Sequence, residues 1–352
     1  MGHTLSTPIT EKHSSTGHNA RLAFAASAMQ GWRTTMEDAH TTLLDIEDAT
    51  GTAFFAVYDG HGGSKVAEYC GEHLHRNIVA DPAFNNEDFK SAITNGFLKT
   101  DNAIRNGKYP NCEGNTSGCT AITVTITDKN ILYVGNAGDS RAVLGRNGMT
   151  IDLSVDHKPT NSDEYIRIVS AGGSVESGRI NCGIGLSRAL GDFGLKSNSL
   201  LDLEEQILIA NPDVKEHKLT DEDEFLVLAC DGIWDCMTSK QVTKFVRQEI
   251  VDGTPLDKIC EKIMDNCLAT EVKPSFIGFD NMTMIIVAFL NGRTIQEWQE
   301  HICQRVSAHV KPTNPPNGSS SVDIGGTTPG SGKRTSRFYS RLPRWLQGRS
   351  AT

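Results

Sequence analysis

Two short stretches constrain this chain more than any others. Phe54-Phe55-Ala56-Val57-Tyr58-Asp59-Gly60-His61-Gly62-Gly63 and Phe225-Leu226-Val227-Leu228-Ala229-Cys230-Asp231-Gly232 are each an apolar run that ends on a carboxylate and turns at once through glycine. Neither run has a helical period, so both read as strands. Asp59 and Asp231 then stand at strand ends, where an oxygen ligand meets solvent or a cation. Gly60, Gly62 and Gly63 let the backbone approach an ion or a phosphate closely. His61 places a proton donor or acceptor beside them.

Other acids fall where strands begin. Glu37-Asp38 precede a strand over 39–44, and Asp280-Asn281 precede the apolar stretch 282–290. In an antiparallel sheet the end of one strand and the start of its neighbour share an edge, so all five acids can meet there. Asp139 interrupts two strands at Gly138-Asp139-Ser140 and can join them. Upstream of it, Ile122, Val124 and Ile126 alternate with Thr123, Thr125 and Thr127, which predicts a half-buried strand. Strands at 131–134 and 141–144 and a hairpin turn at Arg146-Asn147-Gly148 complete an antiparallel meander.

Apolar residues at helical spacing (Val66, Cys70, Leu74, Ile78; then Phe89, Ile93, Phe97) predict two core-facing helices, the first with Ser64 as its N-cap. Further helices are expected over 163–171, stopped by Gly172-Gly173, and around 242–250 and 256–268. The irregular stretch 174–210 reads as a loop-rich flap over the site.

So many carboxylates at one partly buried place each raise the ionisation cost of the next, and divalent cations relieve it. The ligands are all oxygens, and the nine cysteines form no Cys-x-x-Cys pair. Mg²⁺ or Mn²⁺ therefore fits better than Zn²⁺. Two such ions can hold a water between them, lower its pKa and make a hydroxide nucleophile. An acidic metal cluster repels an anionic substrate unless a cation offsets it. Arg33 is the candidate, because a guanidinium grips phosphate through parallel hydrogen bonds. His61 is placed to protonate the leaving oxygen. The chemistry implied is metal-assisted hydrolysis of a phosphomonoester.

At this point the chain resembles the metal-dependent Ser/Thr protein phosphatases of type 2C. The matching stretches are Met29-Gln30-Gly31-Trp32-Arg33 with Met36-Glu37-Asp38-Ala39-His40; 57–63; Gly135-Asn136-Ala137-Gly138-Asp139-Ser140-Arg141; Gly172-Gly173; 187–193; 229–235; and Gly278-Phe279-Asp280-Asn281. They occur in the family's order between residue 22 and about residue 290. The resemblance implies an α+β fold, a central antiparallel β-sandwich of two sheets flanked by helices in four αββα layers. It implies two metal ions bridged by Asp59, one also held by the Gly60 carbonyl and the other by Asp231 and Asp280. Glu37 and Asp38 would act through metal-bound waters. Asp139, with Asp231, would hold a weaker third ion. Arg33 would bind phosphate, His61 would be the general acid, and the substrates would be phosphoserine and phosphothreonine on proteins. Cys119 stands where the family commonly has Ser, at no catalytic position.

Rival readings are weaker. Cys182 and Arg188 have cysteine-phosphatase spacing, but so do Cys70 and Arg76 inside a predicted helix, and Asn181 replaces the usual preceding His. Asp192-Phe193-Gly194 resembles a kinase motif, without the His-Arg-Asp and Val-Ala-Ile-Lys segments that would accompany it. A catalytically silent phosphoprotein-binding member is the alternative from another class. Loss of a metal acid would mark it, and none is missing.

The formal net charge of −9 speaks against a general nucleic-acid binder. Charge is uneven, because Lys333, Arg334, Arg337, Arg341, Arg344 and Arg349 face no acid between 333 and 352, which leaves −15 on the first 332 residues. Cysteine usage points to reduced thiols in a cytoplasmic protein, expected as a monomer. Residues 1–21 read as a polar tail, 22–292 as the catalytic domain, 293–310 as a short helical extension, 311–332 as a disordered linker and 333–352 as a basic, aromatic tail. Gly2 followed by Ser6 matches the N-myristoylation pattern. One acyl chain binds a bilayer only marginally, so the basic tail is the expected second signal for an anionic membrane. A nuclear address is the alternative use of that tail.

Overall fold

The computed structural model describes residues 4–107, 116–271 and 277–309. Gly2, the linker and the basic tail lie outside them. Two antiparallel sheets form the centre of the body. The first runs in the order Thr4–His18, Leu22–Arg33, Met282–Phe289, Asp223–Ala229, Arg141–Arg146 and Met149–Asp152. The second runs Asp213–Lys218, Ile131–Ala137, Ala121–Ile126, Ala53–Tyr58 and Ala39–Leu43. Strand alternation explains the layers. Phe55 and Val57 face the other sheet and pack with Ile122, Val124, Leu226, Leu228 and Ile285. Phe54, Ala56 and Tyr58 face outward against Leu74 and Ile78 of helix Lys65–Val79 and Ile93 and Phe97 of helix Phe89–Arg105. On the far side, Phe225, Val227, Met284 and Ile286 pack under helices Ser239–Val251, Leu256–Cys267 and Ile295–His309. The four-layer αββα sandwich is thus present. It also explains why the central strands read as unbroken apolar runs, since both of their faces are covered.

Three expectations change. Residues 4–18 are a strand, not a polar tail, and pair with Leu22–Arg33 at the sheet edge. An edge strand needs only its backbone for the ladder, so its polar side chains hid it. Two of them reach helix Leu256–Cys267: Lys12 Nζ pairs with Asp265 at 2.6 Å, and Ser14 Oγ donates to Glu261 at 3.0 Å. Second, Ala121–Ile126 is fully buried rather than half-buried. Its threonine face lies under the helix layer, and Thr123 Oγ1 donates to the Gly135 carbonyl at 3.2 Å. Third, the stretch 120–148 is no single meander. Ile131–Ala137 belongs to one sheet and Arg141–Arg146 to the other, so Gly138-Asp139-Ser140 crosses between them. The Arg146-Asn147-Gly148 hairpin forms as expected, with positive φ at Asn147 and Gly148.

Helix Ile295–His309 is packed as core. Trp298 is 2% exposed, its Nε1 donates to the Glu224 carbonyl at 3.0 Å, and Ile302 is fully covered. Trp298→Ala should therefore cost about 3–5 kcal/mol of unfolding free energy. Urea denaturation of the two proteins measures this, and a loss under about 1 kcal/mol would show a helix that merely rests on the surface.

Candidate functional site

Strand register brings the predicted acids to one end of the sandwich. Ala39 pairs with Tyr58, which sets Asp38 beside Asp59. Ala229 pairs with both Met284 and Arg141, so Asp231, Asp280 and Asp139 leave from the same end. Asp139 sits on the crossing between the sheets and closes the group. Arg33, Glu37, Asp59, Gly60, His61, Asp139, Asp231 and Asp280 all line one open cavity of about 960 Å³, roofed by residues 177–186 of the flap. Asp38 lies just beneath it: its nearest carboxylate oxygen, one Asp59 oxygen and Cys230 Sγ lie within 4.8 Å of one another.

Backbone and side-chain bonds fix the acids in place. The Asp59 carbonyl accepts from Thr120 N–H at 2.9 Å, and its own N–H donates to Thr120 Oγ1 at 3.2 Å. Asp38 Oδ2 accepts from Thr283 Oγ1 at 2.7 Å. Glu37 accepts from Gly63 N–H at 3.0 Å and from Thr35 Oγ1 at 2.8 Å. Asn281 ties these segments together: its Oδ1 accepts from Glu37 N–H at 2.9 Å, while Nδ2 donates to the Gln30 and Thr35 carbonyls at 2.8 and 3.0 Å. Gly60 passes so close to this loop that a Cβ on it would lie 2.2 Å from the Glu37 carbonyl oxygen. Only glycine leaves room for that approach.

The charges are not balanced by protein alone. Arg33 pairs with Asp280, and Lys158 Nζ lies 2.5 Å from Asp139 Oδ2. Burial opposes the Lys158 charge, yet Asp139 outweighs it and raises the ammonium pKa. Among the described residues, no cationic side chain lies within ion-pair distance of Asp38, Asp59 or Asp231. Burial, reinforced by neighbouring carboxylates, pushes Asp38 up to about 7 and Asp59 and Asp231 well above the carboxylate range. Asp235, one turn after Asp231, is raised by burial as well. Such a group asks for a cation, and its donors are hard oxygens. The Cys230 sulfur stands beside these oxygens. Burial, then Asp38, hold the Cys230 thiol well above its usual pKa, and that sulfur accepts from Thr283 N–H at 3.2 Å.

The sequence reading assigned no role to four residues of this site. Lys158 and Asp235 carry no local pattern that distinguishes them from surface charges. Asn281 was visible only as the neighbour of Asp280. Asp192 falls in the matched stretch 187–193, which by itself gives it no role. Its carboxylate in fact lies 2.6 Å from His61 Nε2.

Comparison with known proteins agrees with this geometry. The family profile described as Protein phosphatase 2C matches residues 22–275. Protein phosphatase 2C homolog 2 of Schizosaccharomyces pombe is 49% identical over 90% of this chain and 86% of its own length. Probable protein phosphatase 2C 60 of Arabidopsis thaliana is 40% identical over 83% of this chain and 93% of its own. Among solved structures, a phosphatase from Toxoplasma gondii superposes with a TM-score of 0.67 at 26% identity, covering 79% of this chain and 96% of that one. Sequence, fold and site together place the chain in the protein phosphatase 2C family, as a metal-dependent protein serine/threonine phosphatase.

Proposed function

We propose that the reaction takes place at the acidic end of the sandwich, with two Mg²⁺ or Mn²⁺ ions held by Asp59, the Gly60 carbonyl, Asp231 and Asp280. The observation that carries this is the meeting of Asp38, Asp59, Asp231, Asp280 and Asp139 at one end of both sheets, three of them without a protein cation. When bound, the ions would neutralise the carboxylates and activate water for attack on phosphorus. Glu37 and Asp38 would support the ions through the waters around them. Asp139, paired with Lys158, would join Asp231 at a weaker third position. Arg33 uses one guanidinium nitrogen on Asp280 and keeps further donors for the phosphate oxygens. Its pairing with Asp280 sets the side chain at the cavity wall, which spares part of the cost of ordering it on binding. His61 would give its proton to the serine or threonine oxygen as the phosphorus–oxygen bond breaks.

The two chain ends would add a membrane address. Gly2 carries the acylation pattern, and the six basic residues after 332 would supply the second attraction that one acyl chain needs. The proposed location is the cytoplasmic face of an anionic membrane.

Phosphate release from a phosphothreonine peptide tests the central claim. It should require Mg²⁺ or Mn²⁺, stop in EDTA, and fall by at least about 100-fold in Asp231→Ala. Release that survives both changes would sink the two-ion site.

The raised carboxyls give a second expectation. A carboxyl whose folded pKa is raised contributes stability at low pH and loses it as pH climbs through the folded value. With Asp38 at about 7, metal-free protein should melt at falling temperature between pH 5.5 and 8. Added Mg²⁺ should raise the melting temperature more at pH 8 than at pH 5.5. A flat metal-free profile over that window would contradict the carboxylate assignment.

Sedimentation with phosphatidylserine vesicles checks the address. Acylated protein lacking residues 333–352 should bind several-fold less than the full chain. Equal binding removes the tail from the account.

A further inference from the structure

The His61 ring is held by a residue that comes from the flap side of the molecule. We infer that Asp192 is a positioning residue for His61. It would orient the ring, so that the proton goes to the leaving oxygen from Nδ1. The inference rests on the reading of His61 as general acid.

The geometry is specific. His61 Nε2 and Asp192 Oδ2 are 2.6 Å apart, and the Asp192 side chain is 8% exposed against 29% for the imidazole. With Nε2 taken, Nδ1 is the nitrogen left for substrate. A nearly buried carboxylate against one ring nitrogen fixes the ring's rotation, as the aspartate does in hydrolytic triads. During P–O cleavage the Nδ1 proton moves to the departing alkoxide. The ring becomes neutral, and its Nε2–H still donates to Asp192.

Asp192 is itself firmly held, which separates it from an incidental neighbour. Its backbone adopts φ +51°, in the left-handed region, which aspartate tolerates better than most non-glycine residues. Its N–H donates to the Ser117 carbonyl at 2.9 Å. Gly118 passes under the carboxylate so closely that a Cβ there would lie 2.2 Å from Asp192 Oδ2. A small sheet connects the parts, with Gly118–Cys119 pairing on one side with Gly60–His61 and on the other with Leu190–Gly191. Behind it, buried Asp101 of helix Phe89–Arg105 accepts from Gly191 N–H at 2.8 Å and from Lys196 Nζ at 2.7 Å. This part of the 174–210 stretch is therefore clamped at 191 and 196, and Asp192 between them is aimed at His61.

The test uses the whole chain with saturating Mn²⁺ and two substrates. A phosphothreonine peptide leaves as a poor alkoxide and needs an acid, whereas p-nitrophenyl phosphate leaves as a good phenolate and does not. His61→Gln should lower kcat for the peptide by about 100-fold or more and for the nitrophenyl ester far less. Asp192→Asn should show the same selectivity, on the order of tens-fold for the peptide, with KM little changed. Asp192→Ala should be lower still. The melting temperature and the Mn²⁺ concentration for half-maximal nitrophenyl hydrolysis serve as checks on folding and ion binding. An equal fall on both substrates, or no fall, in Asp192→Asn overturns the inference while His61→Gln stays selective. If His61→Gln itself shows no selectivity, the general-acid reading fails and the role of Asp192 falls with it.

Discussion

Repulsion between carboxylates is the constraint on which this structure turns. Asp38, Asp59, Asp139, Asp231 and Asp280 are gathered at one end of the sandwich, and in water such a group would separate. Holding it together takes a frame that does not relax. The frame is a core of Phe55, Val57, Ile122, Val124, Leu226, Leu228 and Ile285 between two sheets, with helices closing both outer faces. Packing at the density of a protein interior deforms very little, so burial, and after it the repulsion, raises the pKa values of Asp38, Asp59 and Asp231 instead of moving the acids apart. The same energy becomes affinity once cations arrive. The acids are functional in proportion to how badly they suit the protein alone.

Much of this was legible in the sequence because two period signals are strong. Apolar runs ending in Asp-Gly marked the strand ends, and placing acids at strand ends and starts put them on one edge without any coordinates. Where the period misled, burial on both faces was the cause. Thr123 and Thr125 alternate with Ile and Val as if facing water, yet they face a helix layer. The crossing at 138–140 is invisible to pattern, because a strand leaving one sheet for the other looks locally like a strand turning back. Thr4–His18 escaped because an edge strand needs no apolar face.

The partners of the acids were the hardest to read. Asn281 joins Gln30, Thr35 and Glu37 across some 250 positions of sequence, and Lys158 reaches Asp139 from a separate loop. Such links depend on tertiary placement, and nothing in their local sequence announces them. Asp192 lies in a stretch that carries the family resemblance, but its contact with His61 spans 131 positions and shows only in the fold.

The direction of the first strand has a consequence for geometry at larger scale. Thr4 pairs with Arg33, so the edge strand begins at the acidic end of the sandwich and runs away from it. Thr4 therefore stands on the cavity side of the sandwich, not at the opposite pole. A bulky group fused beside Thr4 would stand in the substrate's way.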